Sequence, residues 1–239
     1  MTTTSPSSPQ CWICGRDPGN SREHRTKKSD LKAVFGKVTQ ANPVHYRDDQ
    51  RRQRRIGSLD ADLTKFPDKI CQHCNGARTQ PHDRAWETLS MALRTCRPKL
   101  SPGMYVRTDR HGIFPYNTAR HMVDMHLFFV KQFGCFILEG RAPIDIASFA
   151  AAIMNNKPHP ALFLKFACGP TIPSNPLVAR SNLHVMTRKD GSVTGATWFY
   201  QVDALAVQVM YAERGMQAGH GWWHPSLGTN RILIGDISK

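Results

Sequence analysis

What this 239-residue chain lacks narrows its possibilities. No run approaches the roughly 20 apolar residues that a membrane-spanning helix requires. The opening Met1-Thr-Thr-Thr-Ser-Pro-Ser-Ser-Pro9 has no apolar core of the kind that marks an export signal. The expectation is a soluble, cytoplasmic protein with no membrane partner and a disordered tail over residues 1–10. There is no Gly-rich phosphate loop and no internal repeat, which sets aside the P-loop nucleotide binders and the solenoids. Acidic residues are scarce, with 18 Asp and Glu against 32 Lys and Arg and a net charge of +14. The hydrophobic share of 40% is enough for a real core.

Seven cysteines are present, and four of them form two Cys-x-x-Cys pairs, Cys11/Cys14 and Cys71/Cys74. An odd number, a repeated spacing and no export signal favour a reducing compartment and metal ligation over disulfides. Four thiolates suit a tetrahedral structural Zn²⁺. The alternative for an isolated pair is a redox site, but neither pair has the strand-to-helix setting of that chemistry. Cys96, Cys135 and Cys168 stand apart, mostly beside apolar residues, and read as ordinary buried thiols.

The positive charge is uneven. Residues 1–100 carry 19 Lys and Arg against 10 Asp and Glu, and residues 101–239 carry 13 against 8. Arg25, Lys27, Lys28 and Lys32 follow His24 closely, and Arg47, Arg51, Arg52, Arg54 and Arg55 form a dense run. Such clustering matches a polyphosphate partner, a nucleic acid. The bland alternative is a solvated basic loop without a specific partner.

Two domains are expected, a cysteine module over residues 11–97 and an α+β domain over 104–239, split at the Pro98–Gly103 break. Within the first, Ser29 to Phe35 reads as a short helix and Asn42 to Leu63 as an irregular insertion. Pro81 starts a helix whose apolar face is Ala85, Trp86, Leu89, Met91, Ala92 and Leu93. Arg78 and Asp83 either form an ion pair that fixes its start or touch phosphate. The second half reads as helices over Thr118–Phe133 and Pro143–Met154. Strands follow over Leu162–Ala167, Leu183–Thr187, Thr194–Val202, Ala204–Tyr211 and Arg231–Ile237, with a hairpin at Asp190-Gly191. The fold class is therefore α+β with a mainly antiparallel sheet. His121 and His126, on the first of these helices, read as core or partly exposed. Trp222, Trp223 and His224, beside His220 and Arg231, either fill a gap under a loop or stack on unpaired bases. The half as a whole reads as a specificity domain, a dimerisation surface or a site for a protein partner.

Cys-x-x-Cys, then Glu23-His24, then Cys-x-x-Cys-Asn75 resembles the zinc-containing HNH endonucleases over about residues 11–97. The resemblance implies a ββα-metal module in which His24 ends a strand and acts as general base. Glu23 and Asn75 would hold one Mg²⁺ or Mn²⁺, and the four cysteines a structural Zn²⁺. It also implies hydrolysis of DNA, in a phage or defence setting. Three positions differ from the family pattern. Glu23 stands where Asp is commoner, no Pro follows the His closely, and no middle Asn is placed; Asn42 and Ser58-Leu59 are its nearest stand-ins.

The chemistry of such a site is general. Phosphodiester hydrolysis needs a deprotonated water and compensation of charge on the phosphate oxygens. An imidazole takes the proton near neutral pH, a hard cation with Arg25, Lys27 or Lys28 supplies charge, and the thiolate clamp joins segments 60 residues apart. A protein of a different class satisfies the same cysteines, namely a non-catalytic zinc-finger nucleic-acid-binding or regulatory protein on the same scaffold. Asn75 could then merely cap a turn. In either case nucleic-acid affinity is expected to drop steeply with rising salt, and replacing Arg51, Arg52, Arg54 and Arg55 by Ala should flatten that dependence. An unchanged slope in a filter-binding series excludes the run from the contact surface.

Overall fold

A computed structural model describes residues 9–47, 50, 52–109, 112–169, 177–213, 219 and 221–237. The expected tail and His220 fall largely or wholly outside these residues, as does Arg51.

Among the described residues, the N-terminal half holds four short strands and two α-helices. Strand β1 (Ser21–His24) is followed by α1 (Lys28–Phe35), β2 (Val44–Arg47), β3 (Gln53–Ile56) and β4 (Lys65–Ile70). A π-helical turn at Cys74–Arg78 then leads into α2 (Gln80–Thr95). Strand β1 pairs antiparallel with β4, placing Ser21 opposite Ile70 and His24 opposite Lys65. The insertion expected to be irregular contains a ribbon, because β2 and β3 pair from Val44–Ile56 to Arg47–Gln53. Its sequence hides the strands, since Gln53, Arg54 and Arg55 are all exposed and only Ile56 is buried.

The C-terminal half comprises β5 (Tyr105–Arg107), α3 (Thr118–Gly140), α4 (Ile146–Met154), β6 (Leu162–Cys168), β7 (Val178–Arg180), β8 (His184–Thr187), β9 (Val193–Val202), β10 (Leu205–Ala212) and β11 (Arg231–Asp236). The sheet runs β5-β11-β6-β10-β9-β7, with β8 also on β9. Every pairing is antiparallel except β11 with β6. The α+β expectation with a mainly antiparallel sheet therefore holds. Period-2 alternation explains the central strand: Ala196, Trp198, Tyr200 and Val202 of β9 are buried. Asp190 and Gly191 form the expected turn, with Gly191 at φ 84.

Helix α3 outruns its expected end by seven residues. Gly134 would ordinarily weaken a helix, but here an added Cβ would meet the Trp12 indole at 2.4 Å, so the glycine lets the first cysteine knuckle press onto α3. Helix α4 starts later than expected, at Ile146, where Asp145 caps it by accepting a hydrogen bond from the Ala147 N–H at 2.9 Å. No described helix is long and apolar enough to cross a membrane.

The buried side chains form one continuous cluster across the expected boundary near residue 100, running from Cys11, Phe66 and Trp86 through α3 to Trp198 and Ile234. Trp86 stacks on Phe128 at 5.5 Å and meets Phe129 and Tyr200 edge-on. Each such ring contributes about 1.5–3 kcal/mol by burial, so the two halves hold each other. Buried Asp30 adds a polar tie: it accepts from Trp86 Nε1, the Tyr200 hydroxyl and Ser90 Oγ, each at 2.8 Å. That tie links α1, α2 and β9.

Trp223 and His224 are also interior, which fits the gap-filling reading of that cluster rather than base stacking. His126 is buried against them, its Nε2 2.9 Å from the Leu162 carbonyl oxygen. Burial lowers the pKa of His82 to about 4, of His126 to about 3 and of His159 to about 4. The unfolded chain protonates its histidines near pH 6.5, so between there and about pH 4 it binds more protons than the folded protein. Stability should be greatest above pH 6.5 and fall by about 1.4 kcal/mol per pH unit for each of these histidines on acidification. Denaturant titrations of zinc-loaded protein check this, and an unaltered slope in His126→Gln would contradict it.

Candidate functional site

The four Cys-x-x-Cys sulfurs converge. Their Sγ atoms all lie within 4.8 Å of one another, and Cys14 and Cys71 are 3.8 Å apart. A tetrahedron with metal–sulfur bonds of about 2.3 Å has edges of roughly 3.8 Å, so the spacing fits such an ion. The local chain makes this geometry: Gly15 at φ 65 turns the first knuckle, whose N–H donates to the Cys11 carbonyl, and Asn75 N–H closes the second by donating to the Cys71 carbonyl. Burial raises the Cys14 thiol pKa, but hydrogen bonds with the Asp17 and Arg16 backbone and with Cys11 and Cys71 bring it down to about 7. Burial pushes the Cys71 and Cys74 thiols up. Four adjacent thiolates therefore need a cation, and the cluster could hold a metal such as zinc. Among the described residues this is the one group of three or more such ligands.

Beside the clamp, β1 pairs with β4, from which α1, β2 and β3 separate it in the chain, and β4 leads through the π-turn into α2. His24 ends β1, with Asn75 one residue past the clamp. The three expected catalytic side chains are held by different partners. Glu23 is buried, with its Oε2 2.9 Å from Lys131 Nζ and its Oε1 accepting from Gln132 Nε2 at 3.2 Å. The Asn75 amide donates to Ser21 Oγ at 2.8 Å, at the other end of β1 from His24. The His24 ring faces the carboxylate of Asp60, Nε2 to Oδ1 at 3.4 Å. His24 and Glu23, but not Asn75, line a pocket of about 400 Å³ with Lys27, Lys28, Ser29, Lys32 and Glu87.

Burial lowers the His24 pKa below its ordinary value; Glu23 and Asp60 oppose the shift, while Lys65 and Lys28 add to it. The imidazole is therefore neutral at pH 7 and able to accept a proton. Asp60 is also bonded by Lys28 Nζ, which keeps its carboxylate ionised. Sequence reasoning missed this aspartate. Its only signal in the sequence is its place beside Ser58-Leu59, a stand-in for the family's middle Asn.

A second missed residue is Lys131, fully buried on α3. Its ammonium lies 2.9 Å from Glu23, 2.8 Å from Asp83 and 3.3 Å from Thr79 Oγ1. Burial disfavours its charge, but Asp83 and Glu23 more than offset that and raise its pKa. Asp83 thus pairs with Lys131 and with Lys27, at 3.3 Å, rather than with Arg78 as expected. Mg²⁺ or Mn²⁺ at Glu23 does not fit this arrangement, because the carboxylate is already neutralised from within. A doubly charged ion about 4 Å from the ammonium would meet roughly 8 kcal/mol of repulsion at an effective dielectric near 20.

Of the expected phosphate-binding residues, Arg25 is tied to Glu139 and the Lys65 carbonyl and lies over the Phe66 ring. Lys27 pairs with Asp83 and Glu87, and Lys28 with Asp60. Arg52, Arg54 and Arg55 are exposed on or beside the β2–β3 ribbon, where Arg55 donates to the Gln40 carbonyl. No family model matches this chain, and neither the curated proteins nor the solved structures contain a match.

The sulfur cluster has a direct test. Purified protein is expected to release about one zinc per chain to a strong chelator and to lose most of its stability as it does so. Cys74→Ser should abolish that stoichiometry in metal analysis, whereas Cys96→Ser, outside the cluster, should retain it. Equal zinc content in both variants would contradict the assignment.

Proposed function

We propose that this chain is an HNH-type phosphodiesterase acting on nucleic acid, in particular DNA, with a structural Zn²⁺ on Cys11, Cys14, Cys71 and Cys74. The observation that carries this reading is the position of His24: it is neutral, ends β1 of a strand–strand–helix unit, faces Asp60, and opens on a pocket lined by lysines. A buried imidazole nitrogen with no hydrogen-bond partner is costly in a mere scaffold, and His24 Nε2 has only the 3.4 Å contact with Asp60.

In this reading His24 takes the proton from the attacking water while Asp60 orients the ring and steadies the imidazolium. Lys32, exposed on the rim, and Lys28 add positive charge where a phosphate enters. The basic ribbon at Arg52, Arg54 and Arg55 extends the same charge along a backbone. No role falls to a divalent ion at Glu23.

A second reading is favoured by a specific observation. Glu23 is neutralised by Lys131 and the Asn75 amide is spent on Ser21, as suits a zinc-finger nucleic-acid-binding or regulatory protein that keeps the scaffold without cleaving.

Plasmid incubation with zinc-loaded protein separates the two. Supercoiled DNA should be relaxed or linearised by the wild type, with the rate lowered about 10²–10⁴-fold in His24→Ala and reduced less in Asp60→Asn. The rate should hold below pH 6.5 and decline only as pH passes the lowered His24 pKa. Equal cleavage by wild type and His24→Ala rejects His24 as the base. Retained binding of the zinc-loaded protein with no cleavage, whether or not Mg²⁺ or Mn²⁺ is added, selects the second reading.

A further inference from the structure

Five acidic and basic side chains alternate from β1 through the interior and back to the pocket wall. Glu23 of β1 meets Lys131 of α3 at 2.9 Å, and Lys131 meets Asp83 of α2 at 2.8 Å. Asp83 then meets Lys27 at 3.3 Å, and Lys27 meets Glu87 at 3.2 Å, at the pocket wall. Lys131 has no solvent exposure, while Asp83 and Lys27 keep 15% and 16%, so the ladder is driest at Lys131.

The oxygens around Lys131 are of the kind a hard divalent cation selects. Two carboxylates and the Thr79 hydroxyl surround the ammonium. Beside it, the buried amide oxygen Gln132 Oε1 has no hydrogen-bond partner. Gln132 is the neighbour of Lys131 and already donates to Glu23 and to the His24 carbonyl oxygen.

We propose that the Lys131 ammonium is the resident cation of this site. It is clamped between Glu23 and Asp83, so the wild-type chain takes up no divalent ion at Glu23, and removing the ammonium turns the two carboxylates into a divalent-cation site. Lys131 is a positioning residue here: it fixes the strand that carries His24 and, through Asp83, the ammonium of Lys27. The inference rests on the reading of β1, β4 and α2 as a nuclease-like frame, but it concerns cation binding and does not require that the frame cleaves anything.

Its test is a Mn²⁺ titration of zinc-loaded protein, followed by the electron paramagnetic resonance signal of free Mn²⁺ and by Tm. Glu23→Gln should be less stable than wild type, but the two should leave the same free Mn²⁺ signal and neither should gain Tm on adding Mn²⁺, with no site that depends on Glu23. Lys131→Met should be less stable without Mn²⁺ and should bind about one Mn²⁺ per chain at a site wild type lacks. Its Tm should rise with Mn²⁺, and the double variant Glu23→Gln/Lys131→Met should lose both effects. Wild-type Mn²⁺ binding that disappears in Glu23→Gln overturns the proposal, as does a folded Lys131→Met that binds no Mn²⁺. Should Lys131→Met fail to fold, the comparison of wild type with Glu23→Gln decides alone. Since none of these readouts is a cleavage rate, a failed cleavage assay and a failed titration point to different errors.

Discussion

A buried charge must be matched by another, and in this protein that requirement converges on Lys131. A fully buried ammonium is tolerated only beside carboxylates, and these come from β1 and α2. Helix α3 is therefore placed not only by its apolar surface but by one ion that must lie between Glu23 and Asp83. Losing either carboxylate leaves a charge in a dry interior, which costs several kcal/mol. The gain is geometric: strand end, helix start and the pocket lysine are referred to a single atom.

Two other ties support that arrangement at different ranges. The cysteine clamp joins residues 11–14 to 71–74 and so closes the long excursion that holds α1 and the basic ribbon. Asp30, bonded by Trp86, Ser90 and Tyr200, anchors α1 to α2 and to the central sheet. Helix α1 follows directly on the β1 end and carries Lys32, so its anchorage sets where the pocket rim stands. Sulfur chemistry, a buried carboxylate and a buried ammonium thus secure the same small unit against the aromatic core.

How much of this could be read from the sequence depended on the distance over which each signal acts. The cysteine pairs were legible because both knuckles are local and chemically specific. The helices and the core strands were legible because their apolar residues repeat at 3.6 or 2, as in β9. Strands β2 and β3 were not, since Gln53-Arg54-Arg55 gives no apolar alternation and the ribbon has little to bury. The end of α3 was misplaced because Gly134 looks like a break until Trp12 is seen against it. His24 and Glu23 stood out through their frame, but their partners did not. Asp60 lies on a polar excursion, and Lys131 sits in a helix whose apolar neighbours advertise only a core. Pairings across such separations have no local signature, so the candidate residues were legible and the electrostatics that decide their roles were not.

Whether an ammonium or a metal ion occupies the heart of this unit is best answered by diffraction at the manganese absorption edge from zinc-loaded crystals soaked in MnCl₂. The account predicts anomalous density for zinc among Cys11, Cys14, Cys71 and Cys74, the Lys131 ammonium in place between Glu23 and Asp83, and no manganese bonded to Glu23. A manganese peak on the Glu23 carboxylate, with Lys131 displaced from it, would contradict the account.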